Sequence, residues 1–148
     1  MKIPNKVVVA GIEWIVEQCT ALYNDENGDS LYGEVNFSET KIKIALNAGC
    51  IIDGKDASFP FQDNIRITAL FHELWHIYCN MADIGELDTE QNAKLFSFIA
   101  MNIFIKTGSC LTLAINNALT IMIERGIIIS DIEKSVIRYF MNSTEIIE

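Results

Sequence analysis

The chain has 148 residues, half of them hydrophobic, and a formal net charge of −9 at neutral pH. This length suits one domain with a substantial core, and the hydrophobic content argues against intrinsic disorder. The acidic balance argues against a nucleic-acid-binding surface, which needs clustered Lys and Arg. No run of about 18 uninterrupted apolar residues offers a membrane span.

Period-two patterns predict strands in the first part of the chain. Residues 7–9 and 12–17 predict a β-hairpin, and residues 31–37 predict a further strand. Residues 41–46 alternate strictly, with lysines on one face, and predict an exposed or edge strand. Residues 47–61 form a connection that serves either as a lid or as a plain long loop.

Residues 62–82 are predicted to form a buried central helix that holds both histidines of the chain, His72 and His76. A helix places residues four apart on one face, so both imidazoles can reach a single metal ion. Glu73 lies about a quarter-turn away, where a general base can take a proton without binding the metal. H-E-x-x-H is the pattern of zinc metallopeptidases.

A plainer interpretation is a buried helix whose histidines hydrogen-bond into the core, with Glu73 on a solvated edge. We favour metal binding because the two histidines lie at ligand spacing and flank an acid. Cys79 continues the same face, but one straight helix cannot wrap a third residue around the same ion. It is predicted to be a reduced core cysteine, like Cys19, Cys50 and Cys110.

Three further helices are predicted after the central one. Asp88 is the predicted N-cap of a helix over residues 89–106, with Gln91 in the capping position. A third helix is predicted over residues 109–125. Ser130 opens a capping box for a last helix that extends to about residue 142.

These elements predict an α+β fold, with a small mixed or antiparallel N-terminal sheet packed on the central helix. A C-terminal helical part follows. We expect a single domain over residues 1–148, with strands and loops in 1–61, the metal-site helices in 62–106 and additional helices in 109–142.

A third metal ligand is needed, because a catalytic zinc ion normally has three protein ligands and a water molecule. The carboxylates after the central helix are Asp83, Glu86, Asp88 and Glu90. Asp83 is too close to the helix end, and Asp88 is already used as a cap. Glu90 is favoured and Glu86 is the main alternative. A solvated Glu90 stabilised by the helix dipole is the non-ligand interpretation.

The sequences HELWH at 72–76 and EQNAKLF at 90–96 resemble the ImmA/IrrE-type metallopeptidases of phages, plasmids and bacterial mobile elements. In that family H-E-x-x-H is followed by a helix of pattern E-x-x-A-N-x-F-A, from which this chain departs at Lys94 and Ser97. The resemblance covers roughly residues 65–100. It implies a zincin-like fold, a zinc cofactor held by His72, His76 and Glu90, and the cytoplasm of a bacterium or phage-infected host.

The predicted function is zinc-dependent hydrolysis of peptide bonds, in which Glu73 takes a proton from a zinc-activated water. The expected partner is a protein or peptide substrate held along the strand at residues 41–46, with no nucleic acid or membrane involved. Tyr78, Tyr139 and Arg138 are possible oxyanion donors, although packing or solvation is the favoured role of each.

Two other functions are compatible with the same residues. In the first, the chain is a zincin scaffold that binds or regulates another protein and has a structural or vestigial metal site. In the second, a zinc ion only links two helices and stabilises the fold. In the second case Glu73 is dispensable.

Overall fold

A computed structural model describes residues 2–108 and 110–147 and shows an α+β architecture of four α-helices and a mixed sheet within those ranges. The helices are α1 (Asp63–Ala82), α2 (Glu90–Lys106), α3 (Leu111–Glu124) and α4 (Asp131–Asn142), with a 3₁₀ turn at Gly85–Leu87. The strands are β1 (Lys6–Val9), β2 (Ile12–Cys19), β3 (Leu22–Tyr23), β4 (Ser30–Leu31), β5 (Gly33–Asn36), β6 (Lys41–Ala45), β7 (Asn47–Ala48), β8 (Ile51–Ile52), β9 (Lys55–Asp56), β10 (Phe59–Pro60) and β11 (Thr144–Ile147).

The main sheet has five strands in the order β11-β1-β2-β6-β5. β2 and β6 run parallel, and every other neighbouring pair in this sheet is antiparallel. The predicted hairpin is confirmed as β1 and β2, whose turn at Ala10 and Gly11 has φ of 50° and 80°. Two successive positive φ values match the tight turn that suits the twist of a hairpin.

Of the two alternatives predicted for residues 41–46, an exposed or an edge strand, the edge position is wrong, because β6 pairs with β2 on one side and with β5 on the other. Lys41 and Lys43 contact carboxylates on neighbouring strands, with Lys41 Nζ 3.2 Å from Glu17 and Lys43 Nζ 3.9 Å from Glu34. Such cross-strand ion pairs need neighbours on both sides. The lysines therefore mark the outward face of the sheet and not its edge.

The opposite face of the sheet forms the core with the helices. Its buried side chains are Val7, Val9, Trp14, Val16, Ile42 and Ile44. They alternate with outward-facing residues, as expected for a sheet covered on one side only. α1 packs across this face against β5 and β6, and it contacts α2 and α4 as well.

The predicted bounds of the central helix are confirmed at Asp63–Ala82. The predicted N-cap of α2 is wrong. Thr89 caps the helix by accepting a hydrogen bond from the Asn92 N–H at 3.1 Å, and the Asp88 side chain contacts His76 instead. The predicted Ser130 cap of α4 is confirmed. α3 begins at Leu111, two residues later than expected, and Ser109 lies outside the described residues.

Three features were not predicted or only partly predicted. The strand expected over residues 31–37 is divided into β4 and β5, and the 47–61 connection contains four short strands. β11 was missed altogether. All four cysteines are free, but a core position is confirmed only for Cys79: the prediction is wrong for Cys19 and Cys50, which are half-buried, and for Cys110, which is exposed. None of the described helices is long and apolar enough to cross a membrane.

Candidate metal centre

His72 and His76 on α1 and Glu90 at the start of α2 form a cluster whose candidate ligand atoms all lie within 4.8 Å of one another. His72 Nε2 is 3.0 Å from Glu90 Oε2, and His76 Nε2 is 3.1 Å from Glu90 Oε1. Two imidazoles and one carboxylate are a donor set that zinc takes in catalytic sites. The side chains thus fit a zinc ion in number and in chemistry.

The connection between α1 and α2 places Glu90 against the histidines. α1 ends at Ala82, its C-cap Asp83 has a left-handed conformation with φ of 55°, and the 3₁₀ turn follows. The Leu87 carbonyl then accepts hydrogen bonds from Trp75 Nε1 at 3.0 Å and Asn92 Nδ2 at 3.1 Å. Because these donors belong to α1 and α2, the turn is fixed to both helices.

The other carboxylates considered as third ligands lie outside the cluster. Glu86 is exposed in the 3₁₀ turn, and Asp83 ends α1. Asp88 contacts His76, but its Oδ1 lies 2.5 Å from Nδ1 and not from the Nε2 that faces Glu90. Asp88 and Glu90 therefore lie on opposite sides of the His76 ring, and Asp88 is not part of the cluster around Nε2. The geometry favours Glu90.

Glu73 lies beside the cluster in a buried position, with 6% of its surface exposed. It packs against the edge strand at Gly33, where a Cβ atom would lie 3.3 Å from Glu73 Cγ and 3.1 Å from the Lys43 carbonyl oxygen. Such contacts are tighter than side chains ordinarily accept. Glycine at this position therefore lets β5 approach the carboxylate closely.

Burial changes the acid–base properties of these groups. It raises the pKa of Glu73 to about 7, with smaller contributions from neighbouring carboxylates, whereas His76 acts in the opposite direction. Burial also lowers the pKa of His72, although Glu90 opposes this effect. Near neutral pH, burial thus favours the neutral imidazole that a metal ligand requires. A carboxyl group with a pKa near 7 suits a general base.

The cluster and Glu73 line one cleft of about 850 Å³. Its lining residues come from β5, the first four turns of α1 and the first part of α2, together with Asn24 and β4. Among the described residues that line the cleft, Lys94 is the one basic side chain apart from the histidines. The β5 wall was not found from the sequence, although a glycine in a predicted strand is a signal of close backbone approach.

The three side chains considered as oxyanion donors do not line this cleft. Tyr78 is fully buried and its hydroxyl lies 3.0 Å from Thr144 Oγ1. Tyr139 and Arg138 are exposed on α4. The packing and solvation roles favoured for these residues agree with their positions.

A scan against protein-family models, a search of curated proteins and a search of solved structures find no match to this chain. The resemblance to the ImmA/IrrE-type metallopeptidases therefore stays a prediction.

Proposed function

We propose that this protein is a zinc-dependent metallopeptidase of zincin-like fold. The observation that supports it is a cluster of three protein donors, His72, His76 and Glu90, opening onto a cleft that also holds Glu73. Structural zinc sites are normally closed by four protein ligands, whereas catalytic sites leave one position open. The three-donor cluster beside a buried acid favours a catalytic role over a structural one.

In this proposal the three cluster residues hold the metal ion and Glu73 transfers the proton. A zinc ion bound by the cluster would supply a Lewis acid that polarises a peptide carbonyl and makes water more acidic. Glu73 is the acceptor for the proton of the attacking water and returns it to the leaving amine. Its burial and its contact with Gly33 keep the carboxylate next to the edge of the sheet.

The substrate-binding strand is reassigned from residues 41–46 to β5. In the described part of the chain β5 pairs with β6 on one side only, and it forms a wall of the cleft. An extended peptide can add to such an edge by main-chain hydrogen bonds. A peptide bound there lies between β5 and the metal cluster, within the cleft.

The decisive variant is Glu73→Gln, which keeps the shape of the side chain but removes the proton acceptor. Zinc content is expected to stay near one ion per chain, because Glu73 is not among the cluster donors. Hydrolysis of an unfolded protein such as casein is expected to fall about 10²–10⁴-fold. Elemental analysis and fluorescence release from labelled casein measure the two quantities.

Glu86→Gln is the matched control, because Glu86 is an exposed glutamate outside both the cluster and the cleft lining. It should retain zinc and activity. A wild-type protein that binds zinc but cleaves nothing, or a fully active Glu73→Gln variant, would contradict the peptidase and favour a scaffold or a zinc staple. Failure of the wild-type protein to take up zinc on titration would remove the basis of the proposal.

A further inference from the structure

Both ring nitrogens of His76 face a carboxylate. Nδ1 lies 2.5 Å from Asp88 Oδ1, and Nε2 lies 3.1 Å from Glu90 Oε1. A neutral imidazole carries one N–H, so only one of these contacts can be a hydrogen bond donated by a neutral ring. The location of that proton decides whether Nε2 is free to bind a metal.

Distance and solvent exposure both favour Asp88 as the partner of the N–H. Its contact is shorter by 0.6 Å, the difference between 3.1 Å and 2.5 Å. The Asp88 side chain is 29% exposed, whereas the Glu90 side chain is 69% exposed. A less solvated acceptor forms the stronger hydrogen bond, because water screens and competes with it less.

Asp88 is also held in place by the backbone around it. Its N–H donates to the Gly85 carbonyl at 3.1 Å, and the preceding Leu87 carbonyl accepts two side-chain hydrogen bonds from α1 and α2. The carboxylate therefore contacts His76 from a turn that is hydrogen-bonded to both helices. Because the Asp88 carboxylate contacts His76, the neighbouring Thr89 is the residue that caps α2.

His72 differs from His76 in this respect. Among the described residues its one side-chain hydrogen bond joins Nε2 to Glu90 Oε2 at 3.0 Å, and no carboxylate faces its Nδ1. In the metal-free protein this contact favours a proton on Nε2, the atom that faces the cluster. The two histidines thus differ in which ring nitrogen has a carboxylate as its closest partner.

We propose that Asp88 is a positioning residue that holds His76 in the Nδ1–H tautomer and so presents an unprotonated Nε2 to the metal centre. Among the described residues His72 has no equivalent partner, and in the metal-free protein it carries its proton on Nε2. A hydrogen bond from the distal nitrogen of a ligating histidine fixes ring orientation and raises ligand basicity. This inference concerns the ligands and stands whether or not the site hydrolyses peptides.

The tautomers can be read directly from two-bond ¹H–¹⁵N correlation spectra of the metal-free protein labelled with ¹⁵N-histidine. Spectra are recorded at alkaline pH, and the ¹⁵N chemical shifts themselves distinguish a neutral ring from a doubly protonated one. His76 is expected in the Nδ1–H form and His72 in the Nε2–H form. With Asp88→Ala, His76 should shift towards Nε2–H, while His72 should not change.

Chelator competition for zinc gives a second, independent readout. Asp88→Asn and Asp88→Ala are expected to weaken zinc binding about 10–100-fold, the usual effect of losing such a partner. Glu86→Gln removes a carboxylate from the same connection and Thr89→Ala removes the helix cap. Both controls should leave the His76 tautomer unchanged.

Two results would overturn the inference. One is a wild-type His76 in the Nε2–H form. The other is an Asp88→Ala variant with the wild-type tautomer and zinc affinity. If Asp88→Ala fails to fold, the wild-type spectrum and the conservative Asp88→Asn variant still decide the question.

Discussion

Glu90 is the least buried member of the cluster that it forms with His72 and His76, yet each of its carboxylate oxygens faces a ring nitrogen. Each oxygen contacts the Nε2 atom of a different histidine, at 3.0 Å and 3.1 Å. A solvated first-turn glutamate would gain only the modest favourable interaction with the helix dipole. Convergence on two ring nitrogens is instead the arrangement expected of a ligand that shares one metal ion with both histidines.

Glu90→Gln is therefore expected to weaken zinc binding by at least about tenfold, because a neutral amide replaces an anionic ligand. Glu86→Gln makes the same chemical change four residues earlier, outside the cluster, and should leave the affinity unchanged. Competition with a chromogenic chelator measures both. Equal losses in the two variants, or a loss for Glu86 alone, would contradict the assignment.

The sequence predicts some residues of the site and not others. The positions of His72, Glu73 and His76 follow from helical periodicity, which is local. Asp88 and Thr89 are both good N-cap residues and stand next to each other, so the pattern cannot distinguish them. The choice is made by a contact between α1 and the turn, which depends on the path of the whole connection.

Among the elements, β11 shows why the sheet order was harder to predict than the helices. β11 is only four residues long and pairs with β1, at the other end of the chain. A short segment after a helix gives little periodicity, and a pairing partner distant in sequence leaves no local signal. The same non-local information decides that β5, and not β6, is the edge strand beside α1.

A buried hydrogen bond joins β11 to the central helix and can be tested. The Thr144 hydroxyl donates to the Phe140 carbonyl at 2.6 Å, so the Tyr78 hydroxyl, 3.0 Å away, donates to Thr144 Oγ1. Tyr78→Phe removes this bond but leaves Thr144 satisfied. The free energy of unfolding should fall by about 1 kcal/mol and the Tm by roughly 2–4 °C.

Thr144→Val provides the sharper comparison, because it leaves the buried Tyr78 hydroxyl without its acceptor. The expected loss is about 1–3 kcal/mol, larger than that of Tyr78→Phe. Tyr139→Phe is the control, since Tyr139 is exposed. Zinc affinity should be unchanged in all three variants. Equal stabilities of wild type and both buried variants would mean that β11 does not dock on α1 through this bond.

For the molecule as a whole, Glu73 is a carboxyl group buried where the sheet, α1 and α2 meet. Burial favours its neutral form, so its pKa in the folded state is about 7 compared with an ordinary value of 4.5. Glu90, Glu34 and Asp88 raise the pKa further, and His76 lowers it. A core that contains an acid of this kind depends on pH for part of its stability.

The sign of the dependence follows from proton linkage. Between pH 4.5 and about 7 the folded metal-free protein binds more protons at Glu73 than the unfolded chain does. Its stabilising contribution is therefore complete below pH 4.5 and is lost as the pH rises through about 7. A shift of about 2.5 pH units corresponds to roughly 3 kcal/mol, at about 1.4 kcal/mol per unit.

Glu73→Gln should remove this dependence, because an amide does not ionise. In urea unfolding with a chelator present, the stability of the variant relative to wild type should increase by roughly 3 kcal/mol between pH 4.5 and pH 8. Ionisable groups that do not interact with Glu73 are common to both proteins, so their contributions largely cancel in the difference. Glu86→Gln, which changes an exposed carboxylate, should follow the wild-type curve. If wild type and Glu73→Gln instead lose stability in parallel across this range, Glu73 is ionised in the fold and its burial does not control its charge.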